Sequence, residues 1–165
     1  TLWLNESNVE RDRGKADALV HLVAQLVDAG VPVDGVGLQM HLLSGRATRP
    51  GVVASLVGRL RALGVEVAVT ELDVPRPRSG STARQVAAYR RVVQECREAG
   101  CDEITTWGVD NGHTWLDREL GRRATDPLLF AADGRTTPAL RAVRSALVAP
   151  ALPGALRTAT RRPRR

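Results

Sequence analysis

Cysteine, lysine, methionine, histidine and aromatic residues are all scarce in this 165-residue chain, and several of those scarcities exclude a class of protein. Two cysteines and three scattered histidines do not make a ligand set, so no metal centre and no cofactor are expected. No apolar run reaches the roughly 18 residues that suggest a membrane-spanning helix, and no membrane partner is expected. A leader peptide is not expected either: Thr1–Leu4 is already strand-like, with no basic region and apolar stretch before it. A chain that opens inside an element, without Met, reads as a piece of something longer. Of the 24 basic residues only Lys15 is a lysine, a bias better explained by a GC-rich coding sequence than by a phosphate-binding face. Five are arginines within the last nine positions; the remaining 19 face 18 acids, so the formal charge of +6 falls to +1 for the body. A nucleic-acid partner would rest on that tail alone, through salt-dependent affinity lost on deleting Leu156–Arg165, and is not expected. What is present, 43% hydrophobic and 25% charged residues, is a soluble globular composition with enough chain for one sizeable core.

The stretch that organises the rest is Val65–Val74, VEVAVTELDV, a β-rich run ending in two carboxylates one residue apart. Side chains alternate along a strand, so Glu71 and Asp73 are expected on one face and Thr70 and Leu72 on the other. Two close carboxylates disfavour joint ionisation unless a donor stands between them. Val36–Leu42, VGLQMHL, supplies a candidate one strand earlier, with Gln39 and His41 again on a single face. Acids at strand ends are often only solvated loop residues. Here, however, every expected strand carries polar or aromatic residues at its C-terminal end, where parallel α/β sheets and barrels build their sites.

Hydrophobic spacing divides the chain into four strand-then-helix units. The expected elements are strand Leu2–Asn5 and helix Arg13–Ala29; strand Val33–Gln39 and a helix from Pro50 to Leu63; and the organising strand, a Pro/Arg/Ser/Gly loop at Pro75–Gly80 and helix Thr82–Ala99. The last unit is strand Glu103–Trp107, a long loop through Asp133 and helix Thr137–Val148. Such alternation gives an α/β fold with a parallel sheet. Four units make either a small open sheet or half of an eight-unit barrel, which needs about 250 residues; the pattern alone does not choose. Pro150–Arg165, rich in Pro, Ala and Arg without apolar periodicity, is expected to be a disordered tail after a domain of residues 1–149.

Five motifs then narrow the choice: LNESN at Leu4–Asn8, DGVGLQMHL at Asp34–Leu42, VTELDV at Val69–Val74, ITTWGVDNGHTW at Ile104–Trp115 and DPLLF at Asp126–Phe130. In this order and spacing the chain resembles the C-terminal half of glycoside hydrolase family 10, the endo-1,4-β-xylanases. The resemblance implies a (β/α)8 TIM barrel of which this chain supplies strands five to eight, a half barrel, with xylan or xylo-oligosaccharide as substrate. It implies retention of configuration through two carboxyl groups, with Glu71 as nucleophile and His41 and Asp73 hydrogen-bonded around it. Gln39 would contact the sugar 2-hydroxyl or the nucleophile, and Trp107 and Trp115 would wall the sugar on the non-reducing side. Asn8 would line the leaving-group side, whereas Trp3 is expected to be a core filler.

The departures from the family carry equal weight. Glu6 and Ser7 stand where the family usually has aspartate and tyrosine, and loss of that stacking ring would cost about 1 kcal/mol of sugar binding. The family's acid/base glutamate lies in a WDVVNE-like strand, and the 165 residues contain no such motif. A half barrel should also leave two open strand edges and an uncovered apolar interior, favouring self-association. Cys96 and Cys101 match a disulfide of the family, contributing about 2 kcal/mol and implying export to a secreted, extracellular setting; from the residues alone, two buried thiols are the alternative. Beside a xylanase stand three other readings: a truncated, incompetent chain that binds xylo-oligosaccharide weakly through Trp107 and Trp115, a barrel glycosidase acting on other β-glycans, and the arginine-tail binder.

Overall fold

The computed structural model describes residues 1–76, 82–119 and 126–149. Four strands, β1 (Trp3–Glu6), β2 (Gly35–Leu38), β3 (Glu66–Leu72) and β4 (Glu103–Thr106), form one parallel sheet in the order β1-β2-β3-β4. Helices α1 (Arg13–Asp28), α2 (Val52–Arg61) and α3 (Thr82–Ala99) follow the first three strands; α4 (Leu116–Glu119) and α5 (Pro138–Val148) follow the fourth. The four strand–helix units and α3 stand as expected from the sequence. The short α4 lies within what sequence spacing gave as loop, because four residues are too few to establish a helical repeat.

Local chemistry explains where the helices start. The Asp12 side chain caps α1 by accepting from Lys15 N at 3.0 Å. Thr137 caps α5 ahead of Pro138, whose missing N–H costs nothing in the first turn. α2 begins at Gly51, which has no side chain to cap it; Glu95 of α3 does so from across the interface, accepting from the backbone N–H groups of Gly51, Val53 and Ala54 at 2.9, 3.0 and 3.3 Å. A carboxylate there meets both the unpaired amides and the positive end of the helix dipole. At the other end of α3, the Cys96–Cys101 disulfide spans a Cα–Cα distance of 5.1 Å and ties the helix to the approach to β4.

The core lies between the sheet and its helices. Val36, Leu38, Val67, Val69 and Leu72 pack there with Leu19 and Val23 of α1, Val53, Val57 and Leu60 of α2, and Tyr89 and Val92 of α3. Each such side chain contributes about 1.5–3 kcal/mol on burial. Residues paired in a parallel ladder share a face, so Trp3↔Gly35 and Asn5↔Gly37↔Ala68 define the opposite, barrel-lumen side. Trp3 is therefore no core filler: its half-buried indole lies over Gly35, where any Cβ would overlap it. Nor is the open inner face broadly apolar, as a half barrel suggested. Glycine, alanine, Asn5, Thr70 and the exposed Glu103–Thr105 pair occupy it, hydrogen-bonded at 2.8 Å in the last case, with one indole among them.

Among the described residues β1 pairs only with β2 and β4 only with β3, so both edges are open. The loop segment 126–130 is fastened beneath the end of β3. Tyr89, its phenol pushed up by burial and held protonated, donates to Pro127 O at 2.6 Å, and Gln85 donates to Val74 O at 2.8 Å and Asp126 O at 2.5 Å. The expected loop Pro75–Gly80 falls partly, and the expected tail 150–165 wholly, outside the described residues.

Candidate active site

The site begins with an irregularity in β3. Val69 pairs with Ile104 and Leu72 with Thr106, so three steps along β3 span two along β4. One extra residue interrupts strict alternation. Thr70 was expected opposite Glu71, but the bulge brings both to the lumen side, where one side chain, Asn5, bonds to each: its Nδ2 donates to Glu71 Oε1 at 2.7 Å and its Oδ1 accepts from Thr70 Oγ1 at 2.8 Å. Leu72, turned the other way, is 1% exposed in the core.

His41 holds the second oxygen of Glu71, with Nε2 3.1 Å from Oε2. Met40, at φ 64°, turns the chain after β2, and the pairing with β3 continues past the strand ends as a His41↔Asp73 bridge. Gln39 enters through its main chain: its carbonyl accepts from Glu71 N at 3.1 Å, and its N–H donates to Glu6 O at 3.0 Å. The far side of the imidazole faces Asp73, Nδ1 to Oδ1 3.1 Å, at ion-pair distance but off hydrogen-bond alignment. Asp73 is wholly buried, and its other oxygen accepts from Trp115 Nε1 at 2.6 Å.

These contacts set the charge state. Burial alone pulls the His41 pKa down, but the carboxylates of Asp73 and Glu71 outweigh it and hold the imidazole above its ordinary value. A protonated ring between two carboxylates offsets their repulsion. The ring centroid of Trp115 lies 5.0 Å from that of His41 and Trp107 meets it edge-on at 6.1 Å. Trp107 is 46% exposed and Trp115 half-buried, leaving aromatic surface open beside Glu71.

Of the residues expected from sequence, Glu71, His41, Asp73, Trp107, Trp115 and the Gln39 main chain thus come together. Asn8 stands apart: exposed, at φ 60°, it turns the chain towards α1, its carbonyl accepting from Arg11 N and Asp12 N. Asn5 was missed. Its partner is 66 positions away, and the route to it crosses β2 at Gly37, where a Cβ would overlap Asn5 Oδ1 and lie 2.8 Å from Thr70 Cγ2. The alternating glycines of Gly35-Val36-Gly37 were the available signal, since a strand interior rarely forgoes two side chains without a close approach across it.

Glu10 was also missed. It is 5% exposed, and neither carboxylate oxygen has a hydrogen-bond partner among the described residues. Burial raises its pKa above the ordinary carboxylate value. The folded chain therefore holds this proton more tightly than the unfolded chain, and the associated stability is lost as pH rises from the unfolded value through the folded one. Glu10→Gln is expected to leave thermal stability unchanged near pH 4 and to raise it at pH 8 by about 1 kcal/mol, about 2–4 °C in Tm. Melts of both proteins across pH check this; a variant less stable at pH 8 contradicts it.

Comparison with known proteins agrees with the architecture. Glycosyl hydrolase family 10 matches residues 1–146. Endo-1,4-beta-xylanase 1 of Humicola insolens is 33% identical over 88% of this chain and 35% of its own length, and endo-1,4-beta-xylanase C of Phanerodontia chrysosporium is 38% identical over 83% and 33%. The chain thus spans about a third of the length of these relatives. Among solved structures, a glycosylated endo-beta-1,4-xylanase of Gloeophyllum trabeum superposes with a TM-score of 0.78 at 34% identity, covering 90% of this chain and 47% of that one. The four parallel strands therefore correspond to half of a (β/α)8 barrel, and the chain belongs to glycosyl hydrolase family 10.

Proposed function

We propose that this chain carries the nucleophile half of a retaining endo-1,4-β-xylanase acting on internal bonds of xylan. The observation that carries the reading is the grip on Glu71, one oxygen on Asn5 and the other on His41, which keeps the carboxylate oriented beside open indole surface. In this reading Glu71 attacks the anomeric carbon and the bond to the glycosidic oxygen breaks, leaving a glycosyl ester on Glu71. The departing oxygen takes its proton from a second carboxyl group, for which these 165 residues hold no WDVVNE-like strand. Water, losing a proton to that same group, then releases the sugar and regenerates Glu71. His41, backed by Asp73, holds the second oxygen of the nucleophile, Gln39 contacts the sugar 2-hydroxyl, Trp107 and Trp115 pack on its C–H faces, and Asn8 lines the leaving-group side.

Residues 1–149 would form the half-domain, followed by the tail. The disulfide fits a secreted protein. The open edges of β1 and β4 are where self-association would occur. The partly exposed Trp107 and Trp115 beside His41 favour a second reading, a chain that only binds xylo-oligosaccharide weakly through these indoles. A 2-deoxy-2-fluoro-xylobioside carrying dinitrophenolate separates the two, because its leaving group needs no acid. Intact-mass measurement and peptide mapping are expected to find one glycosyl adduct, on Glu71; a folded sample that stays unlabelled overturns the first reading.

A further inference from the structure

We infer that Thr70 is a positioning residue of this site: its hydroxyl fixes which end of the Asn5 side-chain amide meets Glu71. The two ends of an asparagine amide are nearly equal in shape and opposite in hydrogen-bonding sense. Towards a carboxylate the NH2 end attracts and the carbonyl end repels. Rotation by half a turn about the last side-chain bond would exchange them, so the orientation must be set at the end remote from Glu71. Thr70 Oγ1 is the side-chain donor there, 2.8 Å from Asn5 Oδ1, while Asn5 Nδ2 lies 2.7 Å from Glu71 Oε1.

Three features of the chain are needed to bring these atoms together. The bulge between Val69 and Leu72 places Thr70 and Glu71, neighbours in sequence, on one face. Gly37, between β1 and β3, leaves the lane open; a Cβ there would meet Asn5 Oδ1 and Thr70 Cγ2 at once. Thr70 itself is only half-buried and does little for the core, whose strand residues point the other way. Its β-branched frame is stiff at χ1, so the hydroxyl is held in place.

The inference rests on Glu71 as nucleophile, and the test separates the two. Thr70→Val keeps shape and removes the hydroxyl; Thr70→Ser keeps the hydroxyl. The first readout is the Asn5 side-chain amide in 15N NMR spectra of this chain, which needs no turnover. In Thr70→Val those protons are expected to shift and to exchange with solvent about tenfold faster, with Thr70→Ser close to the parent. The second is trapping by the fluorinated xylobioside: the saturating rate is expected to fall about tenfold in Thr70→Val with the half-saturating concentration unchanged, and Ser to restore it. A merely structural role would move melting temperature and leave that pattern unmade. Unchanged Asn5 resonances in Thr70→Val, or failure of Ser to restore them, overturns the inference. A parent chain that resists trapping sinks the nucleophile reading instead, and the Asn5 resonances then decide the role of Thr70 by themselves.

Discussion

Glu71→Gln is expected to slow transfer of a fluorinated xylobiosyl group onto the protein by about 10⁴-fold or more, to below detection in an overnight incubation. The substitution preserves volume, and the amide oxygen can still accept from Asn5 Nδ2, so the 2.7 Å contact has a replacement. What is lost is the charge: an amide carbonyl does not displace dinitrophenolate from an anomeric carbon. His41 loses one of the two carboxylates that raise its pKa, and its own value is expected to fall. The site is small and lies off the core, so far-UV circular dichroism should be unchanged and Tm within a few degrees. Intact mass spectrometry against time measures the rate. Retention of labelling within about tenfold of the parent would remove Glu71 from the chemistry altogether.

The fold was largely legible because each strand–helix unit is written locally. Strand-end polarity singled out Glu71, Asp73, His41 and Gln39, and helical spacing gave α3 its full range. What escaped depends on relations between elements. The bulge that sends Thr70 to the face of Glu71 is a mismatch of one residue against β4, invisible in β3 alone. Asn5 reaches β3 only because β2 carries Gly37 between them. Glu10 lies in a loop whose burial comes from tertiary packing, and nothing in its neighbours announces an unpartnered carboxyl. Trp115 was assigned to a sugar wall from its motif; its indole N–H also closes the shell of Asp73, a contact spanning 42 positions.

The polar lumen has a related origin. An apolar interior was expected by analogy with packed barrel cores, whose inner layers are bulky and branched. Here Trp3 alone covers Gly35, and Asn5, Thr70 and Gly37 give the inner surface over to the network around Glu71. Space that a core would fill is spent on holding one carboxylate, so stability has to come from the helix-facing side. Thus Leu38, Val67, Val69 and Leu72 are at most 1% exposed, while lumen-side Asn5 and Thr105 are open to solvent.

Asp73→Asn tests the other end of that network, where the largest stability effect is expected. Asp73 is fully buried, and its charge is what His41 and the Trp115 indole share. The amide keeps an oxygen for Trp115 but gives His41 Nδ1–H no carboxylate, leaving the imidazolium with Glu71 alone. Removing one partner from a buried pair costs about 3–5 kcal/mol at the upper end; because Asn retains one acceptor and His41 is not fully buried, about 2 kcal/mol is expected at pH 6. The sign with pH follows from the raised pKa of His41. Stability from its charged form is complete below the unfolded value, about 6.5, and is lost as pH rises through the higher folded value. The variant lacks most of that contribution, so its deficit should shrink from pH 6 to pH 9, as parent His41 gives up its proton and loss of Asp73 also relieves its repulsion with Glu71. Urea melts of both proteins at the two pH values measure the difference. A deficit as large at pH 9 as at pH 6 would mean that Asp73 stabilises the fold through its hydrogen bond to Trp115 rather than through the charge on His41.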